Sequence, residues 1–455
     1  QVTANERFEV RFPERRPFFL ENADYFGEMD SILLFTRRIV DPEVGLRLTG
    51  KLGDWGIGTM AMNDEAPGEQ VSVGDPLAGS AADINIFRLF RELSDQDRVG
   101  VFYSNRKFGN AENKVFNVDG RFKLSDNWST QMQFIDTNAK NAAGVSSDGR
   151  QSNIKFDRQG RSLRVHVHQI DTTEDFQVDL GFQNRNTSAD TRSRHTNFGY
   201  TFWPEDGLVN SWTPRIGINT VSDQKGVRIF ENIDYRMEAT WNGETAIMLR
   251  VDALRERLRA QDHSNLNKNK DFHQKQWRAE FQTQVFSTTG FSAKFRVGDT
   301  INLSPVAGKE PELADFSVSE VGFLWRPSER LRLDLTYLNT SLKDPLSAVD
   351  ILDDSILRAK WNYQFTKETS LRFILQDETT DPGALSSLTN KKGLNYDFLV
   401  RYILNPWSAL YVGYNSNSSN FNLIDTEDGT ELVRTNDLRR DGEQFFIKFS
   451  YLLQP

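Results

Sequence analysis

Two histidines, His166 and His168, are the residues whose type and spacing most directly suggest chemistry. They are two positions apart, so in an extended strand both imidazole rings lie on the same face. Imidazole nitrogens bind transition metals, but a stable site needs at least a third protein ligand, and the sequence indicates none. We therefore predict two hydrated histidines and no metal site.

Carboxylates are the second group that could perform chemistry. The segment from Asp425 to Gly429 reads DTEDG and offers the oxygen ligands that calcium prefers. A solvated surface loop is the simpler interpretation, and contact with lipopolysaccharide through bridging cations is a third. The 64 Asp and Glu residues provide carboxylate pairs along the whole chain, so no pair stands out as the acid and base of a glycosidase. We predict no catalytic residue, no cofactor and no enzymatic activity.

Composition narrows the class of protein. The chain has 455 residues, a formal net charge of −9 and no cysteine, which excludes thiol catalysis and disulfides and argues against nucleic acid as a partner. Its mean hydropathy is −0.57, and it lacks the run of roughly 18 apolar residues that forms a membrane-spanning helix. The 33 Phe, 11 Tyr and 9 Trp residues instead favour pleated strands. No signal peptide is visible, and the precursor of an exported protein is expected to carry one.

Apolar and polar side chains alternate with a period of two from about Ser31 to the end of the chain, which predicts strands with two different faces. Between Thr245 and Glu256, for example, Ile247 and Leu249 fall on one face and charged residues on the other. The polar face carries both signs of charge on successive segments: Arg250, Asp252, Arg278, Glu280, Arg332, Asp334, Arg358 and Lys360. The apolar face carries tryptophans near the expected strand ends: Trp128, Trp241, Trp277, Trp325, Trp361 and Trp407.

These two faces favour a membrane barrel over a soluble β-sandwich. A sandwich also alternates, with its apolar face inward. A membrane barrel, however, has a polar interior and aromatic girdles on its outer face. The dense mixed charge and the tryptophans at the strand ends match that second pattern.

Short turns alternate with longer polar segments. The predicted short turns lie at 53–54, 94–97, 125–127, 158–160, 242–243, 288–290, 327–329, 366–368 and 405–406. The predicted longer segments are 63–81, 139–150, 261–270, 303–314, 343–353, 379–391 and 416–440. Outer-membrane barrels have short periplasmic turns and long external loops, so we predict about 22 antiparallel strands, within a range of about 18 to 24. An even count would place both chain ends in the periplasm.

The predicted all-β fold is thus a large transmembrane barrel formed by residues 31–455, in the outer membrane of a Gram-negative bacterium. One segment is ambiguous: between Thr173 and Phe202, the residues Phe176 to Phe182 can form a strand, a loop element or part of a plug. No sizeable helix is predicted.

The last strand reads QFFIKFSYLL, from Gln444 to Leu453. Its apolar face predicts the signal that the barrel-assembly machinery recognises, and it consists of Phe445, Ile447, Phe449 and Tyr451. The chain departs from the usual pattern because Gln454-Pro455 follows, where an aromatic final residue is more common.

The stretch of residues 1–30 is the most distinctive part of the sequence, because Pro13 and Pro17 interrupt any regular strand. We predict that it plugs the lumen or packs on the rim, through Arg11, Arg15, Arg16, Phe18, Phe19 and Glu21. Its arginines are expected to pair with inward carboxylates of the wall, and its phenylalanines require a local apolar pocket. The alternative is a periplasmic linker left by a preceding domain.

Four sequence motifs resemble those of a family of bacterial outer-membrane barrel domains of unknown function. They are RFPERRPFFLE (11–21), FTRRI (35–39), LTGKLGDWGIG (48–58) and FFIKFSYL (445–452). In that family the domain usually follows a carbohydrate-binding module similar to family 9. The resemblance implies the barrel fold over the whole chain but little about function, since no such module lies within these residues.

Two functions remain open at this stage. The first is a channel or transporter, gated by the segment from Arg11 to Glu21. The second is a membrane-anchoring scaffold or sheath for a partner protein in an outer-membrane secretion or assembly complex. The expected partners are outer-membrane lipid, lipopolysaccharide and the barrel-assembly machinery, with a periplasmic or surface protein as a further candidate. Selectivity depends on which lumen charges are unpaired.

Overall fold

The computed structural model describes Arg11 and residues 13–27, 33–72, 74–405, 408–426 and 429–451. Parts of several sequence predictions lie outside these residues: positions 1–10, 12 and 28–30 of residues 1–30, Pro406, Trp407, Glu427-Asp428 and positions 452–455.

The described residues form one sheet of 21 antiparallel strands, which confirms the all-β prediction. The strands are β1 (Pro42–Leu52), β2 (Trp55–Asp64), β3 (Ala82–Glu92), β4 (Arg98–Phe108), β5 (Ala111–Lys123), β6 (Trp128–Lys140), β7 (Ser146–Gln159), β8 (Leu163–Thr172), β9 (Thr191–Tyr200), β10 (Val209–Ser222), β11 (Arg228–Trp241), β12 (Thr245–Leu258), β13 (Lys270–Phe286), β14 (Thr289–Asn302), β15 (Glu312–Ser328), β16 (Leu331–Lys343), β17 (Asp350–Gln364), β18 (Thr369–Pro382), β19 (Lys391–Asn405), β20 (Ser408–Thr426) and β21 (Gly429–Tyr451).

Helices are few and short. The α-helices α1 (Pro17–Leu20) and α2 (Ala66–Glu69) have four residues each, and 3-10 turns occupy Ala23–Tyr25, Thr36–Arg38 and Ala260–Asp262. Within the described ranges, no helix is long and apolar enough to cross a membrane.

Each strand pairs with the next one along the chain, so the sheet is a continuous meander. Over the described residues, β1 pairs only with β2 and β21 only with β20. Because the count is odd, Pro42 at the start of β1 and Tyr451 at the end of β21 lie at opposite ends of the sheet. The even count that the sequence suggested is therefore not met here. The ambiguous segment contributes one strand, β9, while residues 173–190 remain a connection.

One face of the sheet is apolar and exposed. Directly cross-strand partners point to the same side, and the register joins Leu249 to Ala279 and Trp277 to Val251. Leu249 is 54% exposed and Trp277 51% exposed. Phe445, Ile447, Phe449 and Tyr451 of β21 are also exposed. A continuous apolar surface of this extent is unfavourable in water but matches the hydrocarbon of a bilayer.

The tryptophans lie mostly where the sequence placed them. Trp128 begins β6, Trp241 ends β11, and Trp325 and Trp361 lie a few residues from the ends of β15 and β17. All four are at the same end of the sheet, next to the short turns. Trp277 differs, because it occupies the middle of β13.

Short turns and longer loops alternate as predicted. We call the two ends of the sheet the short-turn end and the long-loop end. The connection between β9 and β10, residues 201–208, is an additional link at the short-turn end that the sequence did not indicate. One link at the long-loop end is itself tight: only Gly109-Asn110 joins β4 to β5, and Gly109 has a φ of 57°.

The predicted long segments contain more strand than expected. Residues 416–440 were predicted as a loop, but β20 runs to Thr426 and β21 starts at Gly429. This prediction was wrong because backbone pairing, such as Phe421 with Arg434, continues beyond the region where side chains alternate. A strand that projects into water needs no apolar face, so its polar sequence resembles a loop.

The largest apolar core lies on the opposite face of β2 to β6, which we call the inner face. It comprises Phe19, Phe26, Leu33, Ile39, Met60, Met62, Ile84, Ile86, Phe102, Val115, Ile135, Phe176, Val178 and Leu180. The first four belong to residues 13–27 and 33–41, which we call the N-terminal segment, and the last three to the β8–β9 connection. The inner face of β2 to β6 therefore combines apolar and charged side chains, whereas the sequence predicted a polar face.

Candidate functional site

The N-terminal segment runs along the inner face towards the short-turn end and then returns to the long-loop end. Near the short-turn end, the Asn22 side-chain amide donates to the Thr49 hydroxyl at 2.9 Å. At the long-loop end, the Asp41 backbone N–H donates to the Asp64 carboxylate at 2.7 Å. Residues 13–27 therefore extend towards the short-turn end, and residues 33–41 return to the start of β1.

An arginine joins the two arms of this segment. Arg16 donates through its guanidinium to the carbonyl oxygens of Ile39 at 2.6 Å and Thr36 at 2.7 Å. It also pairs with Glu14 at 2.8 Å. The Arg16 guanidinium and the Thr36 hydroxyl hold the pKa of Glu14 well below its ordinary value, against a smaller opposing effect of burial. The expected pairing with a wall carboxylate is wrong for Arg16, whose partners belong to its own segment.

The predicted plug residues divide into two groups. Phe19 is 3% exposed, and Phe18, at 37% exposed, packs with an edge-to-face geometry against it. Arg11, Arg15 and Glu21 are exposed. Of the two phenylalanines, Phe19 packs in the apolar cluster of the inner face, while Phe18 remains partly exposed.

Glycines in the wall make room for this packing. A Cβ at Gly58 would lie 2.9 Å from the Phe26 ring, and one at Gly56 would lie 2.0 Å from the Phe90 ring. Both distances are below the contact distance of carbon atoms. The Gly56-Ile57-Gly58 motif thus serves close approach of aromatic rings to the strand.

The connection between β8 and β9 closes over the same cluster. The Phe35 N–H donates to the Leu180 carbonyl at 2.6 Å, and the Phe35 and Phe182 rings are 5.3 Å apart. Phe176 is 4% exposed. The sequence left Phe176 to Phe182 open as a strand, a loop element or part of a plug. In the structure these residues form a loop element that packs on the inner face.

A buried ion pair supports the wall beneath the segment. Arg88 pairs with Asp119, and their side chains are 2% and 3% exposed. The Asn117 amide also donates to Asp119, at 2.6 Å. The pair borders a cavity of about 590 Å³ that Phe19 and Gln133 also line. The sequence missed this pair because the two residues are on different strands.

The predicted charges of the inner face form ion pairs along β11 to β16. Arg250 contacts Asp252 at 2.5 Å and Asp234 at 3.4 Å. Other lumen charges that the sequence predicted pair within one strand: Arg332 with Asp334 at 2.7 Å, and Arg278 with Glu280 at 4.0 Å. Among the described residues, the Arg358 and Lys360 side chains have no hydrogen-bond or ion-pair partner.

The two halves of the inner face differ in hydration. The charged side chains of Arg278, Arg332 and Lys294 are 30%, 47% and 52% exposed. On β3 and β5, by contrast, the segment covers the wall so fully that Arg88 is almost inaccessible. The interior is therefore filled beside β2 to β6 and open to solvent beside β13 to β18.

Comparisons with solved structures identify the architecture. The copper transporter OprC superposes with a TM-score of 0.53 at 9% identity, over 90% of this chain and 77% of that one. The siderophore receptor PirA from Pseudomonas aeruginosa gives 0.48 at 9% identity, over 86% and 77%. The fold is that of an outer-membrane β-barrel. No protein-family profile matches the chain, and no curated protein matches it significantly in sequence.

The barrel places a third histidine beside the predicted pair. His166 and His168 lie on the lumen face of β8, and His168 is the cross-strand partner of His195 on β9. The His166 and His195 ring centroids are 5.1 Å apart. His166 Nδ1 is 2.7 Å from the Asp157 carboxylate. Over the described ranges, no group of three or more His, Asp or Glu residues has a geometry that could hold a metal ion.

Proposed function

We propose that this protein is an outer-membrane channel or transporter whose lumen is narrowed by the N-terminal segment. The asymmetry of the lumen supports this proposal. Apolar packing fixes the segment to β2 to β6, whereas the wall from β13 to β18 presents solvated ion pairs such as Arg332–Asp334. A polar wall in contact with water provides a path for solutes that cannot cross lipid.

Planar-bilayer conductance tests the proposal. The full chain is expected to give small, steady conductance, because the wall beside β13 to β18 remains wet. Deleting residues 6–30 is expected to raise the conductance, and so is the double substitution Phe19→Ala with Phe26→Ala, which keeps the chain length. The matched control is Phe295→Ala with Phe323→Ala, which removes two exposed phenyl rings from the outer face of β14 and β15.

The same preparation separates transport from a scaffold role. Membranes that stay silent for every variant, together with a chain that co-purifies in stoichiometric amount, would contradict transport and favour a sheath for that partner. We further propose that the exposed face of β21 is read by the barrel-assembly machinery and that the loops contact lipopolysaccharide. The family resemblance seen in the sequence stays a prediction.

A further inference from the structure

A pocket at the short-turn end of the lumen is rich in arginine. It has a volume of about 830 Å³ and lies between the turns at 287–288 and 329–330 and the inner faces of β16 to β20. Five arginines line it: Arg326, Arg330, Arg332, Arg372 and Arg401. Among the residues that the structure describes, Glu329 is the only carboxylate that lines it.

Two of these arginines already have carboxylate partners in the wall. Arg332 pairs with Asp334 at 2.7 Å, and Arg372 pairs with Asp397 at 3.1 Å. These contacts fix the orientation of both guanidinium groups and neutralise part of their charge.

The charges of the other three arginines are not neutralised by an ion pair within the described residues. In the part of the chain that the structure describes, the side chains of Arg326, Arg330 and Arg401 form no ion pair or hydrogen bond. The Nε atom of Arg401 is enclosed and has no hydrogen-bond partner, and the same holds for Nε of Arg372.

The chemistry of these groups defines the ligand. A guanidinium presents a planar fork of donors that matches carboxylate and phosphate oxygens in bidentate fashion. Leu399 and Tyr411, the cross-strand partners of Arg372 and Arg401, add apolar surface beside the arginines. The volume lies within the range of about 300–1,000 Å³ that small-molecule sites occupy.

We propose that this pocket binds solutes that carry two or more carboxylate or phosphate groups. The inference rests on the proposed transport function and deepens it, because it assigns an anionic substrate class to the lumen. The chain as a whole has a formal charge of −9, so the preference for anions is local to the pocket. Three unpaired cations, separated from one another along the wall, select a solute with several anionic groups over one with a single group.

Calorimetric titration of the full chain in detergent at low salt tests the binding. The probes are tripolyphosphate and citrate, which distinguish phosphate from carboxylate ligands. The triple variant Arg326→Gln, Arg330→Gln and Arg401→Gln is expected to bind the preferred probe about a hundredfold more weakly, since charge-assisted hydrogen bonds to each guanidinium are lost. The single variant Arg401→Lys, which keeps the charge but not the fork, is expected to lose about tenfold.

A control variant distinguishes binding in the pocket from the overall electrostatic effect of removing three positive charges. Lys225→Gln, Lys268→Gln and Lys309→Gln remove the same charge from exposed loops at the long-loop end and should leave the affinity within about twofold. Equal weakening by both triple variants, or no weakening by the pocket variant, would overturn the inference. The inference would also be overturned if neither tripolyphosphate nor citrate binds to the unaltered chain.

Conductance of the same variants separates the inference from the function on which it rests. Block of the current by the probe in the unaltered chain but not in the pocket variant supports both. Unchanged current with no pocket-dependent binding leaves a channel but overturns the anion site. Pocket-dependent binding to a barrel that never conducts keeps the anion site and contradicts transport.

Discussion

Replacing Phe19 by alanine should release the N-terminal segment from the wall. The Phe19 ring is 3% exposed. It packs against Phe18, with ring centroids 5.1 Å apart, and lies under the Arg16 guanidinium, whose carbon is 4.4 Å from the ring centroid. The substitution therefore removes an apolar contact and a cation–π contact at once.

The magnitude follows from the burial. A buried phenylalanine replaced by alanine typically costs about 3–5 kcal/mol. If the segment opens locally while the strands stay intact, that cost falls on the opening equilibrium alone. At about 1.4 kcal/mol per factor of ten, the open population should rise roughly a hundredfold to several thousandfold.

The absence of cysteine provides the assay, because one introduced cysteine is the sole thiol of the chain. Met60 is 2% exposed and lines the same cavity as Phe19. A Met60→Cys reporter should react with a maleimide about a hundredfold faster, or more, once Phe19→Ala is added. Phe295→Ala on the outer face, where the ring is 49% exposed, is the matched control and should leave the rate unchanged. An unchanged rate with Phe19→Ala would refute the idea that this ring holds the segment.

Three further outcomes are expected. Asp119→Asn leaves Arg88 buried without its counter-charge and should cost about 3–5 kcal/mol in urea unfolding from lipid vesicles, a loss that Arg88→Met with Asp119→Leu should recover. Because the pKa of Glu14 is lowered in the folded protein, its stabilising contribution is complete above the ordinary carboxyl pKa of about 4.3 and is lost as the pH falls towards the lowered pKa. Protection of the N-terminal segment from protease should therefore decline as the pH falls below about 4.3. A Glu14→Gln chain should show no such decline. Leu249→Arg, which places a charge in lipid, should cost about 2 kcal/mol or more in the same unfolding assay, whereas Met248→Arg on the lumen face should cost less.

Alternation and turn residues predicted the sheet and its two faces. Side chains such as Leu249 and Arg250 follow a local rule, because neighbouring positions of a strand point to opposite sides. The pairs Arg250–Asp252 and Arg332–Asp334 were within reach of the sequence for the same reason. Each joins residues two apart on one strand.

The parts that the sequence missed depend on contacts between distant strands. Arg88 and Asp119 are 31 positions apart, and His195 meets His168 only through the register of β8 and β9. The arginine-lined pocket likewise combines residues from β15 to β20, including Arg326 and Arg401. No local pattern marks such sets, since register is fixed by the whole sheet.

The cost of moving the segment bears on how the lumen works. Phe19, Phe26, Leu33 and Ile39 are buried in one cluster, and exposing four large apolar side chains costs about 6–12 kcal/mol at about 1.5–3 kcal/mol each. The open state is then disfavoured by about four to nine orders of magnitude. Spontaneous release of the segment is too rare to carry steady flux, so the transport that we propose requires solutes to pass beside the segment in the resting barrel. The wet wall from β13 to β18 provides that path, and it leads to the arginine pocket at the short-turn end.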